Sequence, residues 1–220
     1  MNNRIYAIGD IHGCFNSMKE LIENKIQLRK EDKLIFLGDY IDRGSDSKAV
    51  LDYIIELQNN DYHIVTLCGN HESMLLNAYT NKAEIYKWLL NGGSETLKSL
   101  NVDSLEKLAP KYIHFFNNLK PYYELDNFLF VHAGFNDNIE NPFSDNYTMF
   151  WRSKKQYYNP LLIDKTIIHG HSPVSIAVTQ NQALNNSNVI NLDGGCVYTK
   201  AHYGKLIALE IKTRTILVVE

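Results

Sequence analysis

Short apolar runs alternate with amphipathic segments along the first third of the chain. Three apolar runs have the length of buried strands and occupy residues 4–8, 33–37 and 62–67. Each is followed by a segment whose apolar side chains recur at helical spacing, at residues 14–26, 45–57 and 72–79. Repeated alternation of this kind predicts parallel strands with helices packed against the sheet.

The pattern changes twice in the rest of the chain. Residues 82–119 are mostly helical in pattern, with interruptions at Gly92, Gly93 and Pro110, and they predict a helical cap. After Pro121 few helices separate the strand-like runs, which are residues 128–131, 166–168, 189–192, 205–211 and 216–219. We therefore predict a second sheet and an α/β fold in which two sheets form a sandwich with helices outside.

Residues 135–159 form the least regular stretch. They are rich in asparagine and in aromatic side chains, including Phe150 and Trp151. Two interpretations remain open: an ordered loop that packs its aromatics over the edge of a sheet, and a lid that contacts a substrate.

Composition limits the class of protein. With 220 residues, 45% of them hydrophobic, and no Pro-, Gly- or Ser-rich linker, the chain is predicted to form a single domain over residues 1–220. A formal net charge of -3 argues against a nucleic-acid partner, because a weakly acidic surface gains little from counterion release. The sequence has no apolar run of membrane-spanning length and no signal-peptide pattern, so we expect no membrane partner. We also expect a monomer.

Three cysteines, Cys14, Cys68 and Cys196, lie far apart in the sequence. An odd number at such spacing argues against a disulfide framework and against a thiolate zinc site. A reducing compartment fits this usage, and we expect a cytoplasmic location.

Six short motifs, each after a predicted strand, contain most of the candidate catalytic and metal-binding residues. They are GDIHG at 9–13, GDYIDRG at 38–44, GNHE at 69–72, VHAG at 131–134, HGHSP at 169–173 and DGG at 193–195. Asp10, Asp39 and Asn70 lie just past the carboxyl ends of their strands, where open α/β sheets place their ligands. One such motif could be a tight strand-to-helix turn, but six in this order favour a functional site.

The side chains in these motifs are suited to holding two divalent cations. Asp10 and His12 are two residues apart in an extended segment and point the same way, and the two oxygens of Asp39 can bridge two ions. Further donors are an amide oxygen and two imidazole nitrogens, from Asn70, His132 and His171. Oxygen and nitrogen donors without thiolate suit manganese, iron or zinc, and we expect two Mn²⁺ ions, with iron or zinc as alternatives.

A phosphate substrate would depend on those cations. Two ligand carboxylates and a bridging hydroxide offset most of the charge of two divalent ions and leave a net charge of roughly +1. Arg43 and Arg152 can add fork-shaped donors that match phosphate oxygens. We expect a metal-bridging hydroxide to attack phosphorus directly, while His71, oriented by Asp42, protonates the leaving oxygen.

The ordered motifs resemble those of the PPP family of serine/threonine protein phosphatases, within the calcineurin-like metallophosphoesterase superfamily. The resemblance is to the compact bacterial and phage members and to the related symmetrical dinucleoside polyphosphate hydrolases, and it runs from about residue 4 to beyond residue 195. It implies a four-layer metallophosphoesterase sandwich of two mixed sheets flanked by helices. It also implies a first metal held by Asp10, His12 and Asp39, and a second held by Asp39, Asn70, His132 and His171. Asp42 and His71 would be the acid pair and Arg43 the phosphate clamp.

Two positions depart from the pattern of the compact relatives. Their second arginine commonly lies one residue beyond the position of Arg152, and a bulky apolar residue usually stands where this chain has His169. Whether His169 contacts the site is left open. The segment WLLNGG, residues 88–93, is also similar to a segment of the small bacterial and phage members.

The leading functional prediction is a metal-dependent phosphatase that hydrolyses phosphoserine and phosphothreonine in proteins. Its main alternative is hydrolysis of dinucleoside polyphosphates, such as diadenosine tetraphosphate, at the same centre, so the expected partner is a phosphoprotein or a small phosphate ester. A nuclease of the wider group normally has a second histidine where this chain has Pro173. A catalytically silent binding module would have no use for a proton donor at His71.

Overall fold

Nine β-strands and eight α-helices make up the computed structural model, which describes residues 3–220. The strands are β1 (Ile5–Ile8), β2 (Lys33–Phe36), β3 (His63–Thr66), β4 (Tyr122–Leu125), β5 (Phe128–Val131), β6 (Thr166–His169), β7 (Val189–Asn191), β8 (Leu206–Glu210) and β9 (Ile216–Val219). The helices are α1 (Phe15–Glu20), α2 (Ser47–Asn59), α3 (Asn70–Thr80), α4 (Ile85–Trp88), α5 (Ser94–Leu100), α6 (Pro110–Asn117), α7 (Asn146–Trp151) and α8 (Ile176–Leu184). A π-helical segment continues α1 over Leu21–Ile26, and another joins α4 to α5 over Leu89–Gly93.

The strands form two mixed sheets. The first has the order β3-β2-β1-β8-β9, with β1, β2 and β3 parallel and the two late strands antiparallel. The second has the order β4-β5-β6-β7, with β4 antiparallel and the other three parallel. Because the carboxyl ends of parallel strands meet at one edge, the loops that leave them are gathered together.

An apolar layer holds the two sheets against each other. Strand residues alternate between faces, so Ala7 of β1 points into this layer while Tyr6 and Ile8 point to the helices outside. The layer includes Ile35, Leu37, Phe130, Ile168, Ile190, Ile207 and Leu209. The sheets therefore pack as a sandwich around a shared interior.

Helices cover the outer face of the first sheet. Helix α2 buries Val50, Leu51 and Ile54 on one side, as its apolar spacing predicts. The helical cap packs against the same core through Trp88 and Phe116. Among residues 3–220, no helix has the combination of length and apolar character that crossing a bilayer requires.

The segment 135–159 packs aromatic side chains on the outer face of the second sheet. Phe135, Met149 and Tyr157 are buried there against Leu129 and Val131. The Tyr157 hydroxyl accepts a hydrogen bond from the Phe135 amide at 3.2 Å. This part of the segment is thus an ordered layer, and it contains the short helix α7.

The structure confirms the predicted α/β sandwich with its helical cap, and each predicted strand is present within about two residues of its expected bounds. The few helices expected after Pro121 are α7 and α8, whose positions were not predicted, and β4 was missed. Helix α8 lies beside β7, where Thr179 donates to the Asn191 carbonyl at 2.8 Å. Strand β4 has half-buried, aromatic-rich positions without clear alternation.

We predict that Leu209→Ala lowers the free energy of unfolding by about 2–5 kcal/mol, because it leaves a cavity in the layer between the sheets. Leu209 is 1% exposed. The matched control is Leu184→Ala on α8, where the side chain is 81% exposed and the loss should stay within about 0.5 kcal/mol. Urea denaturation measures both, and equal losses would contradict the assignment of this core.

Candidate active site

The loops at the carboxyl ends of five strands converge on one buried cluster of polar side chains. Asp10 follows β1, Asp39 follows β2 and Asn70 begins α3 directly after the β3 loop. His132 follows β5 and His171 follows β6. The cluster therefore draws on both sheets, and the apolar layer between them fixes the distance across it.

Five of these loop residues have left-handed backbone conformations. The φ angles are 46° at His12, 52° at Asp39, 70° at Asp42, 68° at Arg43 and 70° at His171. A non-glycine residue in this region is strained, and such strain persists only where surrounding contacts impose it. Its concentration here marks the cluster as a functional site.

Asp39 lies at the centre of the cluster. Its Oδ2 is 3.4 Å from His12 Nε2 and 3.5 Å from His132 Nε2, and its Oδ1 accepts a hydrogen bond from the His71 amide at 3.1 Å. Burial opposes ionisation, but the neighbouring His132, His71 and His12 hold the pKa of Asp39 below its ordinary value. A buried carboxylate in this position can face two cations at once.

A second group of donors lies beside Asp39. His132 Nε2 is 2.9 Å from Asn70 Oδ1 and 3.1 Å from His171 Nδ1, and that nitrogen is itself 2.9 Å from Asn70 Oδ1. Asp39, His132 and His171 lie close enough together to hold an ion. Asp39, His12 and His71 do so too, but a protonated His71 leaves only Asp39 and His12 of that group as donors. The two groups share Asp39, as a dinuclear centre requires.

The hydrogen bonds of two histidines show that these groups fit cations. His12 Nδ1 lies 2.8 Å from the Ile41 carbonyl and His132 Nδ1 lies 3.0 Å from the Leu37 carbonyl, so each Nδ1 carries the proton and each Nε2 presents a lone pair. Burial lowers the pKa of His12 to about 3, and it also lowers that of His132, so both rings are neutral. The lone pairs of the imidazole nitrogens then face those of the carboxylate and amide oxygens at short range. Positive charge between these atoms would stabilise the arrangement.

Asp10 adds a buried carboxyl group next to this centre. Its two oxygens accept the His171 amide at 3.1 and 3.0 Å, and its carboxylate leaves no room for a side chain at Gly170. Burial raises the pKa of Asp10 well above its ordinary value, with Asp193 and Asp39 acting in the same direction. Burial also raises the pKa of Asp193 to about 7. Adjacent buried acids are a further reason for a cation here.

Glu72 organises the loops, a role that the sequence analysis did not assign. Its Oε2 accepts the amides of Asp39 at 2.8 Å and Gly69 at 3.0 Å, and its Oε1 accepts the amide of Tyr40 at 2.9 Å. The Glu72 bond to Gly69 is half of a capping box at the start of α3. The sequence signal for this role was the spacing in GNHE, where a glutamate lies three residues after Gly69, as in a capping box.

His71 and Asp42 form a buried pair beside the centre. His71 Nδ1 is 2.7 Å from Asp42 Oδ2, and His71 Nε2 is the only buried side-chain nitrogen or oxygen among residues 3–220 without a hydrogen-bond partner. Burial alone would lower the pKa of His71, but the carboxylates of Asp39 and Asp42 outweigh it and raise the pKa. When the ring is protonated, its Nε2 proton faces the cluster with no acceptor of its own, as that of a proton donor would.

The helical cap holds Asp42 in place. Trp88 Nε1 donates to Asp42 Oδ2 at 3.0 Å, and Thr96 Oγ1 donates to Asp42 Oδ1 at 2.6 Å. The Asp42 amide donates to Thr96 Oγ1 at 2.9 Å, and the Arg43 amide donates to the Gly92 carbonyl at 3.4 Å. Trp88 begins the WLLNGG segment noted in the sequence, but neither it nor Thr96 was assigned a role, because contacts across some 50 residues leave no local pattern.

The two predicted phosphate-binding arginines lie in different surroundings. Arg43 is exposed at the mouth of the cluster, and its Nη1 donates to His12 Nε2 at 2.7 Å. Arg152, at the end of α7, is exposed and makes no side-chain hydrogen bond to the cluster among residues 3–220. Its guanidinium carbon lies 5.8 Å from the Tyr147 ring centre instead.

His169 is buried next to the cluster and is bound to a backbone carbonyl. Its Nδ1 is 2.9 Å from the Gly170 carbonyl, and burial lowers its pKa to about 4. His171, by contrast, contributes its Nδ1 to the donor group described above. The structure thus brings nine of the ten predicted site residues together and leaves Arg152 at the rim.

We predict that Trp88→Phe lowers kcat about tenfold while metal binding stays intact, because Asp42 loses a hydrogen bond of the kind worth about 1.5–3 kcal/mol to a charged group. The control is Tyr112→Phe in the same helical cap, which removes only a 2.9 Å bond to Asp52, away from the cluster. Steady-state kinetics on p-nitrophenyl phosphate with Mn²⁺, alongside thermal unfolding, measures both. A folded Trp88→Phe protein with unchanged kcat would contradict the proposed support of Asp42.

We predict that Gly170→Ala weakens Mn²⁺ binding about tenfold or more. The added Cβ would lie 2.0 Å from Asp10 Oδ1, so the carboxylate must move from the centre. Calorimetric titration with Mn²⁺ measures the effect, with Ser153→Ala at the exposed rim as control. Equal affinity in Gly170→Ala and the parent protein would remove Asp10 from the ligand set.

Comparison with known proteins agrees with this geometry. The model of the calcineurin-like phosphoesterase family matches residues 3–202. A symmetrical bis(5'-nucleosyl)-tetraphosphatase from Nitrosospira multiformis is 33% identical over 130 residues, which cover 59% of this chain and 43% of that protein. Serine/threonine-protein phosphatase 1 from Salmonella typhimurium is 39% identical over 90 residues, covering 40% of this chain and 38% of that protein. The chain thus matches less than half the length of either relative.

A solved structure extends the agreement to the whole fold. The crystal structure of a putative diadenosine tetraphosphatase superposes with a TM-score of 0.67 at 18% identity, covering 100% of this chain and 94% of the other. Its identity is low enough that it supports the fold alone. The family match, over 200 of the 220 residues, shows that the chain belongs to the calcineurin-like phosphoesterase family, as its PPP-like motifs predicted.

Proposed function

We propose that this phosphoesterase removes phosphate from phosphoserine and phosphothreonine in proteins, with two Mn²⁺ ions as cofactors. The observation that carries the proposal is the buried His71–Asp42 pair, with the unpartnered His71 Nε2 facing the metal-binding cluster. A serine or threonine alkoxide is a poor leaving group and needs a proton as its bond to phosphorus breaks. A protonated imidazole in this position is suited to supplying it.

Each remaining residue then has a defined task. Asp10, His12 and Asp39 would hold one ion, and Asp39, Asn70, His132 and His171 the other. Bound divalent ions supply positive charge for the phosphate oxygens and lower the pKa of a coordinated water so that it can attack phosphorus. Arg43, exposed at the mouth of the cluster, binds phosphate oxygens once the substrate enters.

Asp42 sets the protonation state of His71. Its Oδ2 binds the Nδ1 proton and so keeps the second proton of the imidazolium on Nε2, where the leaving oxygen arrives. The bonds from Trp88 and Thr96 fix the Asp42 carboxylate in turn. The proton is therefore delivered from a ring that cannot rotate away.

A second candidate is the hydrolysis of dinucleoside polyphosphates, which requires the same centre. One observation favours it: the rim next to His171 is aromatic and cationic, with Trp151 at 6.4 Å from the His171 ring and Lys87 beside it. The phosphate leaving group of an anhydride needs less help from a proton than an alkoxide does. A proton donor at His71 therefore matters more for hydrolysis of a phosphoserine or phosphothreonine ester than for hydrolysis of an anhydride.

Parallel assays of a phosphoserine peptide and diadenosine tetraphosphate, each with added Mn²⁺, test the choice between them. We expect turnover of the peptide. Cleavage of the nucleotide alone would reject the phosphoprotein assignment in favour of the second candidate. Loss of both activities on chelation, with recovery on Mn²⁺ addition, is expected for either substrate.

We predict that His71→Asn keeps Mn²⁺ binding but lowers turnover of a phosphoserine peptide by about 10²–10⁴-fold, the usual contribution of general acid catalysis. Turnover of p-nitrophenyl phosphate should fall much less, because its leaving group is stable without a proton. Since the acid must be protonated, turnover of the peptide by the parent protein should decline as pH rises through the raised pKa of His71. His63→Asn, on an exposed strand position, is the control. Equal losses on both substrates would exclude His71 as the acid.

A further inference from the structure

One buried amide side chain, that of Asn191 at the end of β7, joins two of the loops around the metal-binding cluster. Its Nδ2 donates to the Ser172 carbonyl at 2.7 Å, and its Oδ1 accepts the Asp193 amide at 2.8 Å. Ser172 directly follows His171, and Asp193 belongs to the DGG motif. Asn191 is 4% exposed, so water competes little for these bonds. The side chain therefore links the loop of a candidate metal ligand to β7.

Helix α8 holds the backbone of Asn191. Thr179 Oγ1 donates to the Asn191 carbonyl at 2.8 Å, and Gln182 Oε1 accepts its amide at 2.9 Å. The strand register adds a further restraint, since Asn191 pairs with His169 of β6. All the polar groups of Asn191 thus have protein partners. An amide is also the one neutral side chain of this size that can donate to one loop and accept from the other.

The loop after β6 needs such a restraint because the backbone of His171 is strained. Its φ angle is 70°, in the left-handed region, which a non-glycine residue keeps only where surrounding contacts impose it. The His171 amide donates to both oxygens of Asp10, at 3.1 and 3.0 Å, which fixes the entry to this residue. The bond from Asn191 to the Ser172 carbonyl fixes the chain on the other side. Asn191 therefore helps to impose the conformation from which the His171 ring reaches the cluster.

We propose that Asn191 is a positioning residue of the metal centre. Its amide holds the loop so that His171 Nδ1 lies 3.1 Å from His132 Nε2 and 2.9 Å from Asn70 Oδ1. The inference rests on the metal centre of the proposed function and is independent of which phosphate ester that centre cleaves. It assigns a task to a residue that lies outside the six sequence motifs.

Asn191→Leu tests the proposal, because it removes both side-chain bonds at nearly constant volume and without a change of charge. We expect the affinity for one of two Mn²⁺ ions to fall about tenfold or more, the usual effect of losing a group that orients a metal ligand. Calorimetric titration with Mn²⁺ measures the affinities. If the leucine variant does not fold, Asn191→Ser is titrated with the same expectation. Equal affinities in the parent protein and a folded variant would overturn the proposal.

Thr179→Val is the matched control. It removes a buried hydrogen bond to the same residue but leaves the side-chain amide of Asn191 in place. We expect it to lower the thermal stability, as the loss of a buried hydrogen bond does, without changing the affinity for Mn²⁺. Equal losses of affinity in Thr179→Val and Asn191→Leu would mean that packing beneath α8 accounts for the effect, and would overturn the proposal.

A double-mutant cycle shows whether Asn191 acts through His171. Once His171→Ala has removed the imidazole, Asn191→Leu should have no further effect on Mn²⁺ affinity, because no ligand is left to position. Additive losses would contradict the proposed role.

The same titrations separate this inference from the proposed function. A parent protein that binds no Mn²⁺ would overturn the metal centre and this inference with it. Equal affinities in the parent protein and Asn191→Leu would overturn the inference alone.

Discussion

The arrangement of the site is governed by unshared electron pairs, which converge on the buried Asp39 carboxylate. Nitrogens of His12 and His132 lie within 3.5 Å of its Oδ2, and Asn70 and His171 close the group on one side. Such atoms repel one another in a dry interior unless a positive charge lies among them. The fold has to hold them together, and the strained backbone at five loop residues is the local cost.

Three parts of the fold supply that restraint. The apolar layer sets the spacing of the two sheets, so that donors from β1, β2 and β3 meet donors from β5 and β6. Glu72 binds four loop amides with one carboxylate. The helical cap fixes Asp42 through Trp88 and Thr96. Residues outside the donor cluster therefore determine whether the side chains within it are aligned.

Much of this could be predicted from the sequence, because its signals are local. The first three strands alternate with amphipathic helices, and each ligand motif follows directly on an apolar run, so Asp10, Asp39 and Asn70 could be placed at strand ends before any coordinates were known. Helix α7 and strand β4 were missed because neither has a clean period of apolar positions. Trp88 and Thr96 were assigned no role for a different reason: their contact with Asp42 spans a large separation along the chain and follows from packing alone.

The pairing of β1 with β8 has a consequence for how the protein is made. Gly9, directly before Asp10, donates its amide to the Ile207 carbonyl, almost the whole described length away along the chain. While a ribosome is still synthesising the intervening residues, β1 has an open hydrogen-bonding edge on one side, and its Asp10 loop lacks its anchor. The Gly9 amide therefore finds its partner, and the Asp10 loop its anchor, only after β8 has emerged and paired with β1.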